Sequence, residues 1–329
     1  MMKALVVGYG SIGKRHIENL SSFPNLEILV CTKRNYDAFL RRKKCRKFSS
    51  LTKSIKEKPD IAIITNVTSL HIKTAIQLAN AGINLFIEKP LSNSLKNVKF
   101  LLNIIKKRKL VTLMGCILRF HPAIKKIKEI VSTNEIGRII SVHAENGSYL
   151  PDWHPYEDYR NSYAARKDLG GGVIFTNIHE LDYLYWLFGD VKEAFSITEK
   201  ISDLEVNVDD LSAILLRFKN NIIAEVHLDY FQNPDFRSCK IIGTKGTLYW
   251  DSKINTVKVY DIKKKKWIEK LKLQNFNTNN MYVNELSHFL KCVNKKEKPI
   301  NNIEEGAKIL QIAIALKKAS KIKKVVKLT

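Results

Sequence analysis

Apolar residues in the first third of the chain come in short unbroken runs with amphipathic stretches between them. Lys3-Ala4-Leu5-Val6-Val7, Glu27-Ile28-Leu29-Val30-Cys31-Thr32, Ile61-Ala62-Ile63-Ile64-Thr65, Leu85-Phe86-Ile87 and Val111-Thr112-Leu113-Met114 read as strands buried on both faces. Helical spacing separates them: a helix follows the first strand through Leu20, His71 to Ala81 ends at Gly82, and Leu95 to Lys107 forms a third. Strand, helix, strand repeated through residue 114 predicts a doubly wound parallel sheet with right-handed crossovers.

From about residue 122 the periodicity changes. Ala123 to Val131 reads as a helix, Arg138 to Ser148 as an alternating strand, and Gly170-Gly171-Gly172 opens one helix running to about Leu187. Three pairs of alternating runs follow: Ser212 to Phe218 with Ile222 to Tyr230, Lys240 to Gly243 with Thr247 to Asp251, and Thr256 to Tyr260 with Trp267 to Leu273. Consecutive hairpins predict a large, mainly antiparallel sheet. Met281 to Asn294 and Ile303 to Lys318 are closing helices, the second begun by Asn302 with Glu305 three residues on. The expected fold is an α/β Rossmann domain over residues 1–120 and an α+β domain with an open sheet over 121–329, the last helices packing back on the first domain.

Charge changes this picture little. Lys and Arg number 56 against 32 Asp and Glu, a formal net charge of +24, yet lysine is spread along the whole chain and no basic helix or base-stacking motif accompanies it. Nucleic-acid binding is therefore not expected, whereas an anionic small substrate would be attracted. Five scattered cysteines without paired spacing give neither a disulfide frame nor a zinc site. The absence of a long apolar run and of a signal-peptide pattern predicts a soluble, cytoplasmic protein without membrane contact.

The candidate chemistry sits at strand ends. Gly8-Tyr9-Gly10-Ser11-Ile12-Gly13 is a GxGxxG fingerprint with a strand before it and a helix after it, so Gly8, Gly10, Ser11, Ile12 and Gly13 are assigned to a dinucleotide pyrophosphate. The second strand ends in Thr32-Lys33-Arg34 where an acid would hold the ribose of NAD, which favours NADP(H) while leaving NAD(H) open. Thr65, Asn66, Val67 and His71, at and after the next strand's end, together with Glu88 and Lys89, complete the expected cofactor contacts. Glu88-Lys89-Pro90 ends an apolar strand abruptly, delivering an ammonium to the crevice where open sheets bind ligands. On the later helix His179 and Asp182 share a face, so the carboxylate is placed to orient the imidazole. Tyr149 to Lys167 is a long aromatic and polar segment, a length and composition that mark a functional loop.

Taken together, the fingerprint, Glu88-Lys89-Pro90, Arg119-Phe120-His121-Pro122, and Gly170-Gly171-Gly172 with His179 and Asp182 resemble the Gfo/Idh/MocA family of oxidoreductases over nearly the whole chain. The resemblance implies that Lys89 and His179 meet a substrate beside a nicotinamide in the cleft between the domains. Many members carry an Asp where this chain has Thr176, which leaves proton transfer to Lys89 and His179. The segment Tyr149-Leu150-Pro151-Asp152-Trp153 through Arg166 is similar to a subgroup found beside enzymes of nonulosonic, sialic-acid-like sugar synthesis. A sugar, sugar nucleotide or polyol substrate is thereby implied, with Arg119, Tyr149, Trp153, Tyr159, Arg160, Tyr163, Thr176 and Asp182 as its contacts. Two other readings stay open: a non-catalytic NAD(P)-binding regulator on the same fold, and a net non-redox enzyme with tightly held nicotinamide. The uncovered face of a large sheet predicts a homodimer or homotetramer.

Overall fold

A computed structural model describes residues 1–328. The chain forms two compact units, Met1–Ile117 together with Thr278–Leu310, and Leu118–Asn277 together with the residues from Gln311 on.

The first unit runs β1 (Met2–Val7), α1 (Ser11–Leu20), β2 (Leu26–Cys31), α2 (Ala38–Arg42), β3 (Arg46–Phe48), α3 (Leu51–Lys56), β4 (Ile61–Ile64), α4 (His71–Asn80), β5 (Asn84–Glu88), α5 (Val98–Arg108) and β6 (Thr112–Gly115). All ladders of its sheet are parallel, in the order β3-β2-β1-β4-β5-β6. That order is the doubly wound arrangement whose direction of winding reverses beside β1, where such sheets open a ligand crevice. Ala4, Leu5, Val6 and the whole of β4 are fully buried, as expected of strands with helices on both faces. The stretch holding α2, β3 and α3 carried no legible period, because these elements are only five, three and six residues long.

The second unit contains α6 (Pro122–Ser132), β7 (Ile139–Gly147), α7 (Val173–Thr176), α8 (His179–Phe188), β8 (Val191–Glu199), β9 (Leu211–Phe218), β10 (Ile223–Asp229), β11 (Phe236–Gly243), β12 (Gly246–Asp251), β13 (Thr256–Asp261) and β14 (Lys266–Lys272). After β14 come α9 (Asn279–Val293), which belongs to the first unit, α10 (Ile303–Ile322), whose first residues do too, and β15 (Val326–Lys327). In the first unit α9 packs on α1 and sends Phe289 against Phe86, ring centroids 5.8 Å apart.

The second sheet has nine strands in the order β14-β13-β12-β11-β7-β10-β9-β8-β15. Its ladders are antiparallel except one: β7 lies parallel to β10 and separates it from β11. The hairpins expected from alternation are present, but the strand inserted between the first and second of them is a long-range partner that alternation cannot specify. Burial alternates along β9, with Ser212, Ile214, Leu216 and Phe218 inward and Ala213, Leu215 and Arg217 outward. The covered face packs on helices, for example through Ser196 Oγ donating to the Leu316 carbonyl at 2.9 Å. The other face is open, with Ile197 and Leu215 exposed and a concavity of about 590 Å³ lined by His143, Glu145, Phe195, Glu225, His227 and Tyr249 among others. Among the described residues no helix is long and apolar enough to cross a membrane.

Candidate active site

The first unit's contribution begins at the turn from β1 to α1. Gly8 has φ +113°, and a Cβ there would lie 2.7 Å from the backbone of Thr65 and Asn66, while one on Gly13 would lie 2.5 Å from the Gly8 carbonyl oxygen. Nothing lies within 4 Å of a Cβ built on Gly10, so the middle of the turn faces open space. Gly10 is also the N-cap of α1, gives it no side-chain cap, and no acid occupies the first turn. Closed outer glycines, an open middle one and an uncapped helix start make a cradle that fits a pyrophosphate. Thr65 Oγ1 locks this turn to β4 through the carbonyls of Val7 and Gly8 at 3.1 and 3.2 Å. Asn66 Oδ1 is buried with no donor among the described residues, and at the end of β2 Lys33 and Arg34 are exposed while Thr32 Oγ1 accepts the Arg34 N–H at 3.1 Å.

The end of β5 is held by two buried histidines. His16, on α1 and completely buried, brings Nε2 to 2.7 Å from Glu88 Oε1, while Glu88 Oε2 accepts the Lys89 backbone N–H at 3.2 Å. His16 Nε2 faces the carboxylate as its donor, while Nδ1 has no hydrogen-bond partner among the described residues. His71 reaches the Pro90 carbonyl through Nδ1 at 2.8 Å and the Asn66 carbonyl through Nε2 at 2.9 Å. A neutral ring can donate to only one of them; burial pushes the His71 pKa down, opposed by the two carbonyls and by Glu88. Both histidines thus clamp the backbone that carries Lys89.

The second unit contributes the start of α8. The single helix expected after the triple glycine is interrupted at Asn177 and Ile178, so that Thr176 ends α7 and His179 begins α8. Gly172 has φ +112°, and the Asp209 carboxylate occupies the place a Cβ would need, 2.9 Å away. Asp209 in turn pairs with Lys317, and its carbonyl accepts the Val173 N–H at 2.9 Å. His179 is 8% exposed, and the first turn of α8 is pinned by two ion pairs: Asp182 with Arg119 at 2.8 Å and Glu180 with Arg237 at 2.8 Å.

Two expected roles need correction here. Asp182 does not orient His179, because Arg119 Nε and Nη2 take both of its oxygens at 2.8 to 3.2 Å. Arg119 and Asp182 are each fully buried and are paired with one another at the start of α8. Arg160 is likewise engaged, forked onto Asp158 at 2.9 to 3.0 Å and reaching Glu205 at 3.1 Å. It therefore presents no uncompensated cation to an anionic ligand. Tyr149, Trp153, Tyr159 and Tyr163 are half-buried in the same segment, where Trp153 Nε1 donates to Ser148 Oγ at 2.8 Å and Tyr159 Oη accepts the Glu205 N–H at 3.1 Å. Trp153 stands edge-on to Tyr230, centroids 5.6 Å apart, and the buried Tyr230 hydroxyl donates to the Ala164 carbonyl at 3.4 Å. Tyr230 and His16 were missed as organising residues. His16 follows the fingerprint by three positions on the inward face of α1, a visible signal; Tyr230 closes β10 with nothing in the pattern to mark it.

The NAD-binding Rossmann-fold model of the GFO/IDH/MocA oxidoreductase family matches residues 2–116, and the C-terminal domain model of the same family matches residues 124–249. The chain belongs to the Gfo/Idh/MocA family. Within it, the chain is 26% identical to the myo-inositol 2-dehydrogenase of Thermotoga maritima over 99% of this chain and 98% of that one. It is 25% identical to the 2,7-anhydro-N-acetylneuraminate hydratase of Escherichia coli over 75% of this chain and 66% of that one. The solved complex of levoglucosan dehydrogenase with NADH has the same fold, with a TM-score of 0.90 at 17% identity over 100% of this chain and 99% of that one. The Gfo/Idh/MocA assignment accounts for the uncapped glycine turn and for a parallel sheet followed by a mostly antiparallel one.

Proposed function

We propose that the protein is an NAD(P)-dependent oxidoreductase that interconverts a carbinol and a keto carbon of a sugar, sugar nucleotide or related polyol. The observation that carries this is the glycine turn, open at Gly10 and uncapped at α1, in a chain whose relatives include a polyol dehydrogenase along its full length. Nicotinamide, when bound, supplies the site that gives or takes hydride. The chain's own residues do the rest. Gly8, Gly10, Ser11, Ile12 and Gly13 bind the pyrophosphate, Thr65, Asn66, Val67, His71 and Glu88 frame the cofactor, and Thr32, Lys33 and Arg34 favour a 2′-phosphate and hence NADP(H). The His179 imidazole moves the hydroxyl proton, and the Lys89 ammonium holds charge developing on the oxygen or shares the proton. Tyr149, Trp153, Tyr159 and Tyr163 supply the apolar edges and hydroxyls that a sugar ring packs on.

A screen of myo-inositol, anhydro-sugars and free sugars with NADP⁺ and NAD⁺, followed at the reduced-nicotinamide absorbance, tests the reading; no turnover with any polyol overturns it. The likeness to a hydratase favours a second reading, a net non-redox reaction with retained cofactor. Stoichiometric nicotinamide released on denaturing the purified protein would decide for it. The open face of the nine-stranded sheet, with Ile197 and Leu215 exposed, supports a homodimer or homotetramer, which sedimentation tests.

A further inference from the structure

We propose that Tyr9 and Asp37 form a latch that sets the preference between the two nicotinamide dinucleotides by masking a carboxylate beside the ribose site. The proposal rests on the dinucleotide reading above and deepens it.

Tyr9 is the second residue of the glycine turn, and Asp37 is the first acid in the chain after the end of β2. In a doubly wound sheet the phosphates lie on that turn and the adenosine ribose meets the end of β2. A side-chain bridge from one to the other therefore borders the place where a 2′-hydroxyl or a 2′-phosphate is read. The bridge is present: Tyr9 Oη donates to the Asp37 carboxylate, 2.7 Å from Oδ1 and 2.8 Å from Oδ2. Asp37 Oδ1 also accepts the Leu40 N–H at 3.0 Å, which makes Asp37 the N-cap of α2. The Leu40 N–H, the Tyr9 hydroxyl and the nearby Lys14 ammonium hold the carboxyl below the usual Asp range, so it is ionised. The Tyr9 ring is buried, packs on Phe39 with centroids 6.3 Å apart, and lies under Lys14 Nζ at 5.0 Å. Its hydroxyl is thus aimed by packing.

The consequence is electrostatic. A carboxylate near the ribose ordinarily accepts from the 2′-hydroxyl of NAD and repels the 2′-phosphate of NADP. With the Tyr9 hydroxyl across both oxygens and a backbone N–H on one, Asp37 has less lone-pair capacity to offer and less field to exert. The exposed cations Lys33 and Arg34 are then left to dominate. Tyr9→Phe keeps the ring and its packing but unmasks the carboxylate. Asp37→Asn removes the charge while keeping a good helix cap.

The test is equilibrium titration of NADPH and NADH by nucleotide fluorescence on the unmodified protein, Y9F, D37N and the double variant, with thermal melts to confirm folding. The quantity read is the ratio of the NADPH Kd to the NADH Kd. Y9F should raise this ratio about 5-fold and D37N should lower it several-fold, as expected for one charge near a phosphate. Y9F should have no effect in the D37N background, since the hydroxyl acts only through that carboxylate. An unchanged ratio in Y9F, or an equal shift with and without Asp37, overturns the latch. Tighter NADH than NADPH binding by the unmodified protein overturns the NADP preference alone, because the latch is judged by the change in ratio. Binding of neither nucleotide overturns both.

Discussion

The end of β5 and the start of α8 are each organised around a buried carboxylate, and the two carboxylates are held in opposite ways. Glu88 is met by the His16 imidazole, whose second ring nitrogen has no hydrogen-bond partner among the described residues, and by the backbone N–H of Lys89. Asp182 is met by the guanidinium of Arg119, a cation matched to it oxygen by oxygen. The first arrangement ties a helix histidine to the backbone that carries a lysine; the second pairs a guanidinium with a carboxylate in the interior. What this teaches is that burial of an acid does not by itself mark a reactive group. The balanced Arg119–Asp182 pair is built for rigidity, the His16–Glu88 contact for aiming the residue beside it.

Breaking the balanced pair gives the largest effect. Arg119→Met leaves the Asp182 carboxyl fully buried without its guanidinium partner, which costs about 3–5 kcal/mol of stability by the usual behaviour of broken buried pairs. Replacing both residues together, Arg119→Met with Asp182→Leu, should recover most of the loss. Chemical denaturation of the three proteins measures this; additive losses in the double variant would mean the residues act separately.

The second effect is a pH dependence in the same unit. His121 N-caps α6, its Nδ1 accepting the Ala123 N–H at 3.1 Å, and is enclosed by Trp250 and Phe276. Burial first, and then the Arg237 guanidinium, push its pKa down from 6.5 to about 4. The folded state thus resists a proton that the unfolded chain accepts. The associated stability is complete above about pH 6.5 and is lost as the pH falls towards 4, amounting to on the order of 3 kcal/mol. Unfolding free energies measured between pH 7 and 4 should decline more steeply in the unmodified protein than in His121→Asn, which keeps a cap without titrating.

On the proposed reading, Lys89 and His179 carry the proton chemistry. Lys89→Met and His179→Ala should each lower turnover about 10²-fold or more with NADPH affinity largely kept, the size of a lost acid–base group. Steady-state rates on whichever polyol the screen identifies would check this, and near-normal turnover in His179→Ala would leave Lys89 as the base.

Much of this was legible in the amino-acid sequence. Lys89 and the glycine turn stood out because an unbroken apolar run ending in a charge, or in Gly8, has few structural explanations. The parallel sheet followed from strand and helix periods of sufficient length. What was not legible were partners distant in sequence. The spacing of His179 and Asp182 is that of neighbours on a helix, yet Arg119, 63 residues away, takes the carboxylate. Arg160 reads in the sequence as a substrate contact, yet Glu205, 45 residues away, joins Asp158 in pairing with it. The insertion of β7 between β10 and β11 is likewise a long-range pairing that alternation leaves open.

The finest distinction between the two regions lies in His16. If it only fills space between Phe86 and Tyr282, whose rings stand 5.1 and 6.1 Å from its own, then any apolar replacement of similar size should preserve activity. If it aims Glu88, and through the Lys89 backbone N–H the lysine itself, then the hydrogen on Nε2 is what matters. His16→Leu removes that donor and leaves Glu88 Oε1 buried, a loss of about 1–3 kcal/mol. Some of that loss will appear as lower stability in either case, so the melting temperature does not separate the alternatives. The separation comes from kcat: His16→Leu should lower it roughly 10-fold while NADPH affinity stays within about 3-fold, and His16→Gln, which restores an N–H donor at similar reach, should recover most of the rate. A leucine variant that is less stable but turns over normally would reduce His16 to packing, and the charge beside Lys89 would then need no aiming from α1.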